Sequence, residues 1–483
     1  EGKTQTSDDV IEGEFTEKKT DEKAAADETQ PGSESADETE EVVIVEDADE
    51  NEDPGVEEAS EDTDPSDGAE ESEPVPDGQT SDDEQPEEKN EIEVLFGTDV
   101  KTGDPVYWHP NDTQQVFHTN TGIIGVMGTG KTQFTKSLIA QLYRERKHNP
   151  FSHELGILIF DYKGDYGNAK PDFVEPTNAQ FYPPYHLPIN PLALVRGKET
   201  RPLLPLHTAS GFVSTISKCY GLGVKQRNTL KECIMKAYES KGIYRNKEET
   251  WDLQPPTLKD VYDIYMEDES IKKDDSLASA MNQLVEYEIF EPDAAKTLSL
   301  YDFLNGVVTF SLNGYDTIIQ NLIVALTLDQ FYLQMQANGS SRVDGQYREL
   351  TKFILVDEAD NFLSQDFESL RKILKEGRKF GVGTILSTQF LDHFCTGEDD
   401  YAKYFLTWIV HNVGELKPST IGSVFKVKDS KTREHYADVI ASLKMYNSLV
   451  KIGNNPVVHV KELPFWKYDE DRKSEKSSHT DEE

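Results

Sequence analysis

Cysteine is scarce: Cys219, Cys233 and Cys395 are the only three in 483 residues, widely spaced and with no C-x-x-C pair. They read most simply as reduced core thiols of a cytoplasmic protein. No apolar run approaches the roughly 18 to 20 residues that a membrane span requires, which excludes a membrane partner through a spanning helix. Residues 1–90 hold no arginine and no tryptophan, and their one apolar run is VVIV at 42–45. Against 5 lysines they carry 36 Asp and Glu, a net charge of −31 out of −42 for the chain, leaving −11 for residues 91–483. Such a segment cannot bury enough apolar surface to offset its ordering entropy, so it is expected to be disordered. The mild remainder excludes a wholly basic face; any DNA-contacting surface must be local, such as the lining of a channel. No repeat of fixed period is present. The chain opens on Glu1 without a signal-peptide pattern, which reads as part of a longer polypeptide.

What is present begins with GIIGVMGTGKTQF at 122–134. Gly125, Gly130, Lys131 and Thr132 fit G-x-x-x-x-G-K-[ST], with Met127, Gly128 and Thr129 inside the loop and Gln133 after it. Glycines let backbone N–H groups curl around phosphates, Lys131 would offset charge on the β- and γ-phosphates, and the Thr132 hydroxyl would hold Mg²⁺. Apolar Ile123 and Ile124 end a strand, and Phe134, Leu138 and Leu142 have helical spacing. Strand, glycine loop and helix in that order place an ATP-type phosphate chain at a helix N-terminus.

The stretch from Glu91 to Pro110 alternates like a hairpin leading into the P-loop strand. A buried strand at 156–160 ends in Asp161 and a Gly-rich turn, followed by a proline-rich stretch at 171–205. Residues 206–300 are helical in pattern, GVVTFSL at 306–312 is strand-like, and Val324, Leu328, Phe331 and Met335 form a core-facing helical stripe. The expected organisation is an acidic segment at 1–90, a first part of an ATPase core at 91–205, a helical insertion at 206–300, a second core part at 301–466 and a flexible polar tail at 467–483.

In KFILVDEADNFL (352–363) four apolar residues run into Asp357 and Glu358. A buried parallel strand would deliver Asp357 to the Mg²⁺ shell, while Glu358 polarises the attacking water. The strands at 156–160 and 306–312 lie between the two motifs, as the additional-strand class of P-loop ATPases leads one to expect. The fold class is thus α/β, a RecA-like additional-strand core of mostly parallel sheet flanked by helices. Further on, Arg371, Lys375 and Arg378 share a helical face apart from Phe367, Leu370 and Leu374. Arg378, beside Gly377 and ahead of a strand, could reach a neighbour's γ-phosphate, and Gln389 at that strand's end could sense it or orient water.

Taken in order, GVMGTGKT, ILIFDYKGDYG, LPINPL (187–192), FILVDEAD and EGRKFGVGTILSTQ resemble the HerA/FtsK superfamily of ring-forming, DNA-pumping ATPases over roughly residues 93–465. Within it, the texture and the TGDPVYWHP lead-in look most like the DptH family of phosphorothioation-dependent restriction ATPases. The resemblance implies a hexameric, antiviral-defence translocase or helicase on double-stranded DNA, using ATP and Mg²⁺, with Lys131, Thr132, Asp357, Glu358 and Gln389 in cis and Arg378 in trans. It also implies restriction-complex partners such as DptF and DptG. One departure stands out: the acidic segment occupies the place of the N-terminal β-barrel of HerA proteins. Rival readings are a type IV secretion or conjugation ATPase, a nucleotide-gated scaffold for a nuclease partner, and a nuclease built on the D-x-K of Asp161 and Lys163.

Overall fold

Four short runs, Thr121–Ile124, Gly156–Asp161, Lys352–Val356 and Val382–Thr388, are buried at every position, as parallel strands covered on both faces must be. The computed structural model describes residues 90–198, 201–363, 365–395, 401–414 and 416–480, all within the unit Asp83–Glu483. The segment expected to be disordered therefore lies, but for Asn90, outside the described residues.

The strands are β1 (Val94–Asp99), β2 (Pro105–Trp108), β3 (Thr121–Ile124), β4 (Gly156–Asp161), β5 (Gln180–Tyr182), β6 (Gly306–Ser311), the hairpin β7 (Val343–Asp344) and β8 (Tyr347–Arg348), β9 (Lys352–Val356), β10 (Val382–Thr388), β11 (Thr407–Val410), β12 (Asn447–Ile452) and β13 (Val458–Glu462). Eleven of them form one sheet in the order β2-β1-β13-β12-β11-β3-β10-β9-β4-β6-β5. From β11 to β5 every pairing is parallel; from β11 to β2 every pairing is antiparallel.

Alternation along each central strand feeds two cores. Ile123, Ile157, Ile159 and Leu355 join Phe134, Leu138 and Leu142 of the helix Lys131–Glu145 on one face. Ile124, Leu158, Phe160, Ile354 and Val356 meet the helices of 204–286 and the helix Thr317–Asn338 on the other. Each such large side chain contributes about 1.5 to 3 kcal/mol of transfer free energy. Asp316 caps the long helix by accepting from the Ile319 N–H at 2.9 Å, and Val324, Leu328, Phe331 and Met335 are wholly buried.

Two expectations need correction. The strand intervening between the P-loop strand and β9 is β10, which follows β9 in sequence; β4 and β6 lie beyond β9 on the far side. Register decides this, since β10 pairs with both β3 and β9. The expected flexible tail is helical over Phe465–Thr480, because Phe465 and Tyr468 enter the core beside the helix Lys131–Glu145. The expected hairpin ahead of the P-loop strand is β1–β2, and β1 also pairs with β13 on the antiparallel flank.

Candidate nucleotide site

Between Ile124 and Lys131 the chain must turn sharply, and Gly128 (φ 80°) and Gly130 (φ 114°) supply the left-handed conformations this needs. The loop is anchored to both flanking strands: Gly125 N–H donates to Thr388 O at the end of β10, and Val126 N–H donates to Asn412 O beyond β11. Beneath it lies buried His411, whose backbone N–H donates to Ile124 O at 2.8 Å and whose ring faces Glu462 of β13 at the same distance. A Cβ on Gly125 would lie 2.6 Å from the His411 Cβ, so the position admits only glycine.

Lys131 is buried and donates to the Gly125 carbonyl. Burial lowers its pKa, against the opposing pull of Glu358 and Asp357. Asp357 ends β9 almost fully buried, and burial pushes its carboxyl up to about 6. Tyr166 donates to Asp357 Oδ2 at 3.0 Å and shares a hydrogen bond with Thr135 of the P-loop helix at 2.5 Å. The candidate donors, the buried Asp357 carboxylate and the half-buried Thr132 hydroxyl, are both oxygens, which suits a hard divalent cation such as Mg²⁺. Bound there, the cation would neutralise phosphate charge.

Glu358 stands at φ 59°, a strained conformation for a residue with a Cβ. One carboxylate oxygen is held by Lys163 Nζ, the other by Gln389 Nε2 at 2.8 Å. Burial pushes its pKa up, but the bonds from Lys163 and Gln389 outweigh this and hold it below the ordinary value. Gln389 N–H donates in turn to Asp360 Oδ1 at 3.2 Å. The ends of β3, β4, β9 and β10 thereby converge on one edge of the sheet.

Arg378 is elsewhere. The helix Glu368–Glu376 stops before it, so Arg378 does not extend the face of Arg371 and Lys375 as its spacing suggested; it lies in the turn Gly377–Phe380. Its guanidinium stacks on Phe117, 3.4 Å from the ring centroid, and burial lowers its pKa. It precedes β10 whereas Gln389 follows it, so the strand's length, about 23 Å for seven residues, separates Arg378 from the other site residues of its own chain. Asp161 is also absent from the chemistry, since it accepts backbone N–H groups of Lys163, Gly164, Asp165 and Tyr166 at 2.8 to 3.3 Å. Those bonds organise the turn that aims Lys163 and Tyr166, which disfavours the nuclease reading. Tyr166 and His411 were missed in the sequence, and Lys163 was read only as part of a D-x-K pair and not as the partner of Glu358; the DYKGDYG turn after a buried strand was the available signal for Lys163 and Tyr166.

A glycine loop between a parallel strand and a helix, facing paired acids at the end of a second strand, defines a P-loop nucleotide-binding fold. Residues 110–331, a little under half of the chain, match the family model of helicase HerA, central domain, so this stretch resembles a HerA-type P-loop ATPase domain. VirB4 of Thermoanaerobacter pseudethanolicus superposes with a TM-score of 0.58 at 17% identity, over 78% of this chain and 98% of that one. The bacterial conjugative coupling protein TrwBdeltaN70, unbound, gives 0.49 at 13% identity, over 77% and 89%. TrwB in complex with ADP and Mg²⁺ gives 0.46 at 13%, over 72% and 84%. No curated protein matches the sequence. Among the described residues no helix is long and apolar enough to cross a membrane.

Proposed function

We propose that this chain hydrolyses ATP with Mg²⁺ and couples hydrolysis to movement along double-stranded DNA as a ring, a hexamer in keeping with the superfamily it resembles. The observation that carries the reading is Glu358, strained at the end of β9 and held by Gln389 next to Asp357 and the P-loop. In this reading Lys131 and the loop N–H groups of 125–133 hold the phosphates, Thr132 and Asp357 hold the metal, Glu358 polarises water and Gln389 orients it. Arg378 serves a neighbour's site, which its distance from its own P-loop supports. The finer assignment, a restriction ATPase of the DptH type working in the cytoplasm with DptF- and DptG-like partners, rests on the sequence resemblance alone.

The test is phosphate release with and without duplex DNA, alongside the particle mass with ATP. DNA-stimulated release from an assembled ring supports the proposal; release indifferent to DNA overturns it. ATP binding without release would leave the nucleotide-gated scaffold. The likeness of fold to VirB4 favours a second reading, a conjugation- or secretion-type ATPase, for which activity would respond to a membrane-bound partner and not to free duplex.

A further inference from the structure

Sheet order fixes the direction in which a nucleotide would lie. On one side of the P-loop strand stand β10 and β9, bearing Gln389, Asp357 and Glu358, the groups suited to the γ-phosphate and its metal. On the other side stand β11, β12 and β13. A triphosphate running across the loop with its γ end towards β9 must therefore release its nucleoside towards β12 and β13.

Two aromatic side chains border that end. Tyr446, in the turn before β12, holds a left-handed φ of 60° and donates its N–H to Thr129 O of the loop at 3.0 Å. Its ring would lie 2.8 Å from a Cβ on Gly130, so it packs directly against the last loop glycine. Trp466, just after β13, donates its backbone N–H to Gln133 Oε1 at 3.2 Å, and its ring stands 6.4 Å from that of Tyr446 at 66°. Gln133 is the residue after the metal-binding threonine, at the start of the helix. Trp466 is 48% exposed, although the other three tryptophans, Trp108, Trp251 and Trp408, are at most 5% exposed. An indole left half in water yet pinned by its backbone to the P-loop helix is placed to offer a π-face to a planar ring.

We propose that Trp466, flanked by Tyr446, is the base-stacking surface of the nucleotide site, taking the purine of a nucleoside di- or triphosphate. The inference rests on the ATPase reading above. Stacking rewards a large π-face without reading its edge, so the surface favours purines over pyrimidines and discriminates weakly between adenine and guanine.

The experiment uses the full chain and two probes, Mg·ADP and Mg·tripolyphosphate, which has no base. Mg·ADP should alter tryptophan emission in the wild type, and Trp466→Ala should abolish that change. The same variant should weaken Mg·ADP about tenfold or more, while Trp466→Phe retains most of the affinity. Tripolyphosphate affinity should stay within about twofold in both, which also reports an intact P-loop. Equal Mg·ADP affinity in Trp466→Ala and wild type would overturn the base site and leave the ATPase reading standing. A wild-type chain that binds neither probe would overturn both.

Discussion

Gln389 donates to Glu358 across 2.8 Å, tying together the ends of two neighbouring parallel strands whose residues are 31 positions apart in the chain. The contact joins the expected water-polarising acid to the expected sensor of the γ-phosphate. It makes the state of one legible to the other.

Glu358→Gln should therefore keep the fold and ATP binding but lower turnover by about 10² or more, because an amide cannot take up the proton of the attacking water. Lys131→Ala should instead weaken nucleotide binding itself. Phosphate release and equilibrium binding separate the two; turnover within threefold of wild type in either variant contradicts the site.

Lys163 sets the acid limb of the pH–rate profile. Glu358 must be ionised to act as a base, and the Lys163 bond helps to hold its pKa below the ordinary value. Removing the ammonium in Lys163→Met raises that pKa, so activity should be lost at a higher pH than in wild type. Lys163→Arg should restore part of the difference. Superimposable acid limbs would show that the ion pair does not govern the base.

Asp357 should trade stability for metal binding. Folding raises its pKa from 3.8 to about 6, so its contribution favours the native state at low pH and is lost as pH rises through the folded value. Asp357→Asn should consequently be more stable than wild type at pH 8, by about 1 to 3 kcal/mol, with the advantage shrinking towards pH 5. It should also lose Mg²⁺-dependent hydrolysis. Thermal melts at the two pH values check the sign.

Arg378→Ala should bind ATP normally and fail to turn it over, and wild-type specific activity should rise with protein concentration until the ring forms. Mixing this variant with Glu358→Gln should recover part of the activity, because some interfaces then pair an intact Glu358 with an intact Arg378. Flat activity on dilution together with no rescue would leave a monomeric enzyme.

Deleting residues 1–90 should strengthen duplex binding, most at low salt, since it removes the −31 charge that repels phosphates. A titration at two ionic strengths reads the effect. Unchanged affinity at low salt would rule out an electrostatic brake.

Both nucleotide motifs were legible in the sequence because each is a local pattern: a glycine loop after a strand, and an acid pair at the end of an apolar run. Helical spacing likewise identified the helix of Phe134, Leu138 and Leu142 and the insertion that fills 204–286. Spatial order was not legible. That β10 sits between β3 and β9 depends on long-range hydrogen bonding, and nothing near residue 382 encodes it. His411 and Glu462 escaped notice for the same reason, since a lone buried histidine acquires meaning only beside the carboxylate and loop that the sheet brings to it. The polar composition of 467–480 concealed a helix because its burial depends on only a few residues, Phe465 and Tyr468 among them.

The antiparallel pairing of β1 with β13 has a mechanical consequence. Gly97 lies opposite Glu462 and Asp99 opposite Val460, and the Leu463 N–H donates to Phe96 O at 2.9 Å, so the incoming end of β1 and the outgoing end of β13 leave the sheet at the same point. Tension applied between residues 90 and 463 would load these bonds singly, peeling the seam open like a zipper where a shear geometry would resist as a block. Optical-tweezer pulling on those two points should show this flank yielding first at low force, with the strands that carry the P-loop and the acid pair still standing behind it.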